Sequence, residues 1–413
     1  MAAALGVAAI VLSGCGAPTD QQVGGTGVAI PSVAALPPMG WNSWNSFGCD
    51  IDERKIEAQA DAMVSSGLAA TGYRYVVVDD CWYSPDRAAD GSLKADPGRF
   101  PSGMAVLADR LHAQGLQLGI YAGASDRTCA QLAGAYPGTT GSEDHEQQDA
   151  RTFADWGVDF VKYDWCSDDA DIDRQERDFT AMRDAIRATG RAMVYSINPN
   201  SGVGATLPGA QHDWGGVATM TRITNDITAA WSTGQGPAGY QGVHEIIDAA
   251  GEVSDRVSAG RWIDPDMLEI GVGDVLTPAQ QRSHLAMWSM MAAPLIAGNN
   301  LTQMSPATAA LLTNSGIIEI DQDPLGRAAS PTDLDNNIWT RPLADGALAV
   351  ALFNPGDTAR EMAVTPADLG VEGTVTDVWT GEPVTSAPTI TIAVAPGDTA
   401  VLRIGPPDVG GFR

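Results

Sequence analysis

From Met39 to about Gly326, short apolar runs alternate with stretches whose apolar residues recur at helical spacing. The apolar runs are Met39-Gly40-Trp41 and residues 73–78, 116–121, 158–163, 192–197, 220–224, 262–267 and 293–297. Helix-like stretches, such as 52–66, 105–114, 147–156, 174–189, 243–251 and 278–291, lie between them. Strand followed by helix, eight times over, predicts an α/β fold, a (β/α)8 TIM barrel. The competing open, doubly wound sheet would want a glycine-rich phosphate turn of the G-x-G-x-x-G type after an early strand, and none is present. After Gly326 the pattern changes to short alternating strands at 337–343, 347–354, 361–365, 373–379, 389–393 and 399–404, separated by Gly, Pro and Asp. This predicts a C-terminal antiparallel β-sandwich.

The first fifteen residues are almost wholly apolar and end in Leu12-Ser13-Gly14-Cys15. They are too short for a membrane span and resemble a signal segment closed by a bacterial lipobox, with Cys15 as the lipidated residue. The usual basic opening of such a signal is missing, which points to a start further upstream. Residues 16–34 read as a flexible tether. The expected organisation is a signal segment at 1–15, a tether at 16–34, a catalytic barrel at 35–326 and a sandwich at 327–413. The five cysteines are 15, 49, 81, 129 and 166. With Cys15 lipidated, four remain, enough for two disulfides in any of three pairings.

The formal net charge is −27. Nucleic acid and anionic membrane surfaces are therefore poor partners, and membrane contact is expected only through the lipid anchor. Of 24 basic residues only three are lysines, and one sits in Val161-Lys162-Tyr163-Asp164-Trp165-Cys166. A Lys two residues before an Asp on a strand shares its face. A cation there keeps a nucleophilic carboxylate ionised and aimed.

In such a barrel, chemistry gathers where strands end. The strand ends here read Trp41-Asn42-Ser43-Trp44-Asn45, Asp79-Asp80-Cys81-Trp82, Lys162-Tyr163-Asp164-Trp165, Arg222-Ile223-Thr224-Asn225-Asp226 and Asp264-Pro265-Asp266-Met267. Clustered like charges cost free energy, and Lys162 and Arg222 are the cations available to offset it. Carboxylates accept hydroxyl hydrogen bonds and an indole covers the apolar face of a ring, so the set suits a sugar. Hydrolysis of a glycosidic bond needs two carboxyls, and Asp164 and Asp226 come from different strands, each with its own cation. Asp79 and Asp80 are neighbours, so both face one ligand only if the strand end bends. No EF-hand loop, H-E-x-x-H pair or ligand-spaced histidine appears, so no metal and no cofactor are expected. His112, His145, His212, His244 and His284 read as surface or supporting residues. Asp168-Asp169-Ala170-Asp171 reads as a solvated loop.

These motifs, with Pro38-Met39-Gly40-Trp41, Gly119-Ile120-Tyr121, Trp262 through Glu269, Ala293-Pro294-Leu295-Ile296 and Asp321-Gln322-Asp323-Pro324-Leu325-Gly326, resemble glycoside hydrolase family 27 across residues 38–326. That family holds α-galactosidases, α-N-acetylgalactosaminidases and β-L-arabinopyranosidases. The resemblance implies a retaining exo-glycosidase for α-galactosides, with Asp164 as nucleophile and Asp226 as acid/base. It implies sugar contacts from Trp44, Asp79, Asp80, Tyr121, Lys162, Ser196, Asn198, Arg222 and Asp266, and the pairings Cys49–Cys81 and Cys129–Cys166. As an acid, Asp226 is expected to have a raised pKa, partly through the charge of Asp164. The segment Ser196-Ile197-Asn198-Pro199-Asn200-Ser201 differs from the family's Cys-Glu-Trp and Cys-Ser-Trp patterns where the sugar's 2-substituent is read. Ser201, being small, leans toward the N-acetyl sugar, while retention of both Asp79 and Asp80 favours a sugar with a 6-hydroxyl over the arabinopyranoside. Trp165, where the family often has Asn, is a candidate for shaping the leaving-group side or, equally, an aromatic that packs its own loop. A non-catalytic sugar-binding lipoprotein is the alternative from another class; it has no need of both Asp164 and Asp226.

Overall fold

The computed structural model describes residues 33–384 and 387–405. The expected signal segment, Cys15 and most of the tether lie outside these residues. The tether's last residue, Ala34, does not behave as a linker: it is buried, and its carbonyl accepts a hydrogen bond of 2.9 Å from Trp262 Nε1.

The eight apolar runs form parallel strands β1 (Met39–Asn42), β2 (Tyr75–Val78), β3 (Gln117–Gly123), β4 (Phe160–Asp164), β5 (Val194–Asn198), β6 (Met220–Arg222), β7 (Trp262–Asp264) and β8 (Leu295–Ala297). Their order is β7-β6-β5-β4-β3-β2-β1-β8, with β1 paired to both β2 and β8. The chain just past β7 closes the seam. Leu268 N donates to Ile296 O at 2.7 Å, and Gly298 N donates to Leu268 O at 3.0 Å. Every residue of β1, β2, β5 and β8 is buried, which is why these segments read as unbroken apolar runs.

The helices start where short polar side chains cap them. Asp52 accepts from Lys55 N ahead of the helix Glu53–Ser65, and Asp171 accepts from Asp173 N and Arg174 N ahead of Ile172–Thr189. Thr277 and Gln280 form a capping box for Pro278–Met290, with proline in its first turn. That last helix is buried nearly all round in its C-terminal half, including Ser283, His284 and Trp288. It has barrel on one side and sandwich on the other: Ser283 Oγ donates to Gly397 O at 2.8 Å.

Residues 330–405 form two antiparallel sheets. One contains β9 (Ser330–Pro331), β10 (Ile338–Pro342), β11 (Leu348–Phe353), β13 (Thr374–Asp377) and β15 (Thr399–Gly405). The other pairs β12 (Arg360–Val364) with β14 (Ile390–Val394). A separate core that includes Ile338, Val350, Leu352, Met362, Val364 and Leu402 fills the sandwich.

Sandwich and barrel meet through a buried guanidinium. Arg341 of β10 is 0% exposed and donates to Ser289 O and, at 3.2 Å, to Asp321 O. The Asp321 carboxyl is equally buried. Burial pushes its pKa from 3.8 to about 8, with Arg341 opposing the shift. The folded state therefore binds this proton more tightly than the unfolded chain does. The resulting stability is complete below the unfolded pKa and is lost as pH rises through about 8. Asp321→Asn is expected to flatten part of the fall in thermal midpoint between roughly pH 5 and pH 9, read by calorimetry. A slope identical to wild type would remove Asp321 from the pH response.

Candidate active site

The C-terminal ends of the strands open into one cleft of about 670 Å³. Trp44, Asp79, Asp80, Tyr121, Lys162, Asp164, Asn198, Arg222, Asp226 and Asp266 all line it, so ten of the eleven candidate residues come together. Ser196 does not line it. The register pairs Tyr121, Lys162 and Ser196 in one layer and Gly123, Asp164 and Asn198 in the next layer up. Tyr121 and Lys162 are long enough to reach the cleft from the lower layer. The short Ser196 side chain stays in the barrel interior, beside Met220 and Phe160.

Asp79 and Asp80 both reach the cleft because the chain turns sharply after them: Cys81 has φ of 77°. Asp79 Oδ2 accepts from Asn42 Nδ2 at 2.7 Å and Lys162 Nζ at 2.9 Å. Asp80 accepts from Cys81 N at 2.8 Å, Ala130 N at 2.8 Å and the hydroxyl of Tyr83. Burial raises the Asp80 pKa, and the Tyr83 and Ala130 hydrogen bonds resist it. Asn42 also accepts from Trp44 N at 2.8 Å, tying the indole-bearing turn to Asp79. Cys166, two residues past Asp164, likewise has a positive φ, 52°. Disulfides Cys49–Cys81 and Cys129–Cys166 hold both turns, and cross-links of this kind suit an oxidising, extracellular compartment.

Lys162 is the shared cation. Its ammonium lies 2.9 Å from Asp79 and 3.7 Å from Asp164, and 5.1 Å from the centre of the Tyr121 ring. Burial alone would lower its pKa, but Asp164 and Asp79 raise it, so it stays charged. Arg222 plays the same part across the cleft, 2.9 Å from Asp266 and 3.0 Å from Asp226. Asp266 also accepts from Ile227 N at 2.8 Å, which fixes the turn carrying Asp226.

The two candidate catalytic carboxyls differ sharply. Asp164 is 6% exposed, and its Oδ1 makes no hydrogen bond within the protein. Burial pushes its pKa up to about 7, opposed by Lys162 and reinforced by Asp79 and Asp226. The Asp226 side chain is 55% exposed through the mouth although it sits deep among protein atoms. Burial acts upward on its pKa, but Arg222 and Lys162 outweigh it and the net shift is down. This reverses the expected raised Asp226. The pair's first proton goes to Asp164, which is the drier carboxyl and stands farther from a cation than Asp226 does.

Other readings are decided by packing. Trp165 is fully buried against Phe179 and donates to Asp169 O at 2.7 Å, so it supports a loop and does not shape the cleft. His284 takes the supporting one of the two roles expected of it: it is buried, its Nε2 accepts from Glu269 N at 3.0 Å, and burial lowers its pKa to about 3. Glu269 is a residue that sequence reasoning passed over. Burial raises its pKa to about 8, and it accepts from Asn45 on the rim next to Trp44. An acid inside an otherwise apolar run was the available signal. Among the described residues the one cluster of metal-ligating atoms is Cys129, Asp164 and Cys166. Its sulfurs are joined to each other and offer no thiolate.

A (β/α)8 mouth with one carboxyl at the end of β4 and another in the loop after β6, each beside a cation, and an indole at the rim defines a glycoside hydrolase. Residues 36–323 match the family model described as alpha galactosidase A, and residues 333–404 match that of the alpha galactosidase C-terminal beta sandwich domain. The chain belongs to this family, glycoside hydrolase family 27. It is 39% identical over 395 residues to alpha-galactosidase A of Cellvibrio japonicus, covering 91% of this chain and 93% of that protein. It is 37% identical over 359 residues to an alpha-galactosidase of Cyamopsis tetragonoloba, covering 84% and 79%. Among solved structures, alpha-galactosidase I of Mortierella vinacea superposes with a TM-score of 0.83 at 31% identity, over 91% of this chain and 98% of that one.

Lys162→Met should leave Asp79 and Asp164 facing each other without a cation and cost about 3–5 kcal/mol of stability. Adding Asp79→Asn should return a large part of that loss. Chemical denaturation of the two variants checks this; equal stability for both would mean that charge balance is not what Lys162 supplies.

Proposed function

We propose that this chain is a retaining exo-α-galactosidase, with Asp164 as nucleophile and Asp226 as acid/base. The observation that carries the reading is the contrast between them. Asp164 lines the cleft as a buried carboxyl with one oxygen that has no protein partner, while Asp226 lines the same cleft as a solvent-open carboxyl backed by Arg222. Asp164 attacks the anomeric carbon as the bond to the leaving oxygen breaks, and Asp226 gives that oxygen its proton. Asp226 then takes a proton from water, which releases the sugar from Asp164 with its configuration retained.

The pair must hold one proton, whichever carboxyl carries it in the empty site. A leaving group seated over Asp226 strips its solvent and raises its proton affinity. Positive charge growing at the anomeric centre favours the Asp164 anion. Substrate thus moves the proton toward Asp226. Asp79 and Asp80 supply acceptors for the 4- and 6-hydroxyls, and Trp44 supplies a ring face. Asn198 and Ser201 line the cleft without a bulky side chain, which keeps an α-N-acetylgalactosaminide as the second reading. We also propose that residues 35–326 are the catalytic unit, 327–413 its sandwich, and Cys15 a lipid anchor outside the cell.

Asp164→Asn should lower kcat by at least about 10⁴-fold, with α-galactose as first product of the wild type by NMR. Wild-type kcat/KM should decline above about pH 7, where the pair loses its single proton. In Asp226→Ala, assayed on an activated aryl galactoside, that decline should vanish. A surviving alkaline limb, or β-galactose as first product, contradicts the assignment. Separately, Asp80→Ala should reduce the preference for an aryl α-galactoside over the α-glucoside by about 10–100-fold, the worth of one charged hydrogen bond. Kinetics on the two epimers and on the N-acetylgalactosaminide test this; an unchanged ratio would remove Asp80 from the 4-hydroxyl.

A further inference from the structure

The loop after Asp226 returns to Asp226. Its far end is pinned there: Gln241 N donates to Asp226 O at 3.0 Å, and Thr228 N donates to Gln241 O at 2.9 Å. Within the loop, Gln241 Nε2 donates to Gly236 O at 3.1 Å and Gly239 O at 2.8 Å, and Glu245 accepts from Thr233 N at 2.9 Å and Gly234 N at 3.1 Å. Its near end is anchored on the other domain, where Trp231 Nε1 donates to Pro355 O at 3.1 Å. The backbone is therefore held at both ends and in the middle. The ring of Tyr240 is 60% exposed, and Tyr240 is the one exposed aromatic residue among those described. It lines the same cleft as Asp164 and Asp226, and the cleft has more room than one hexose fills.

We propose that Tyr240 is the residue on which the leaving-group sugar stacks. The inference rests on the activity proposed above. Asp226 protonates the leaving oxygen, so whatever is fastened to Asp226 borders the leaving group. An exposed phenol ring there stacks on the apolar C–H face of a second sugar and leaves its hydroxyl in water. The loop backbone is secured by hydrogen bonds in which the Tyr240 side chain takes no part.

The test compares Tyr240→Ala and Tyr240→Phe with wild type on an α-1,6-linked galactosyl disaccharide and on α-galactosyl fluoride, which has no aglycone ring. Hydrolysis of the fluoride by wild type checks the activity itself; its absence overturns both readings together. With the fluoride turned over, Tyr240→Ala is expected to lose about three- to tenfold in kcat/KM on the disaccharide, mostly through KM. The fluoride rate and the alkaline limb should stay unchanged, and Tyr240→Phe should behave as wild type. An unaffected disaccharide overturns the platform while leaving the galactosidase reading intact. A fall in kcat with a displaced alkaline limb also overturns it, by showing that the substitution acts through Asp226.

Discussion

An ammonium between two carboxylates, Lys162 at 2.9 Å from Asp79 and 3.7 Å from Asp164, is the contact on which the rest of the site depends. Five aspartates meet at this mouth: 79, 80, 164, 226 and 266. Without internal cations, neighbouring carboxyls would take up protons and stop acting as strong acceptors. Lys162 and Arg222 divide the acids into two groups, one around Asp79 and Asp164 and one around Asp226 and Asp266. A compact ammonium suits the first group because it must fit beside the Tyr121 ring. A planar guanidinium suits the second because it meets two carboxylates at once, one from the loop after β6 and one from the turn after β7.

This division leaves Asp164 and Asp226 in unlike surroundings. Asp164 is dry and 3.7 Å from the Lys162 ammonium, whereas Asp226 is open to solvent and 3.0 Å from the Arg222 guanidinium. Asp164 accordingly takes up a proton before Asp226 does. On the roles proposed above, a leaving group that strips solvent from Asp226 draws that proton toward it. The loop that returns to Asp226 at Gln241, anchored on the sandwich through Trp231, borders that carboxyl.

The eight-fold alternation was legible because every barrel strand lies under helices, so its apolar character does not depend on register. The site was legible because strand ends converge whatever the loops do, which is why Asp164, Asp226, Asp79 and Asp266 share a cleft. Depth was not legible. Ser196 and Asn198 point the same way along β5, and only the stagger against β4 tells which one clears the barrel interior. Environment was equally hidden: Trp165, His284 and Glu269 look like rim or surface residues until the helices behind them are placed. The short helices Pro306–Leu312 and Ser315–Asp321 are too brief to show a periodic face, although Ser305 and Asn314 cap them. The electrostatic order of the pair was misread because neither the 55% exposure of Asp226 nor its 3.0 Å contact with Arg222 can be read from spacing.

The scarcity of lysine has a practical side. Among the described residues there are three primary side-chain amines. Lys162 is sealed between carboxylates and stays protonated, so acylating reagents and aldehyde surfaces find no nucleophile there. Lys55 is partly shielded, with its amine on Asp50 and over the Phe47 ring. Lys94, exposed in the loop after β2, is the open handle. Amine-directed coupling would therefore attach these residues to a support at one or two defined points without touching the cleft's ammonium, a property that a lysine-rich surface would not give.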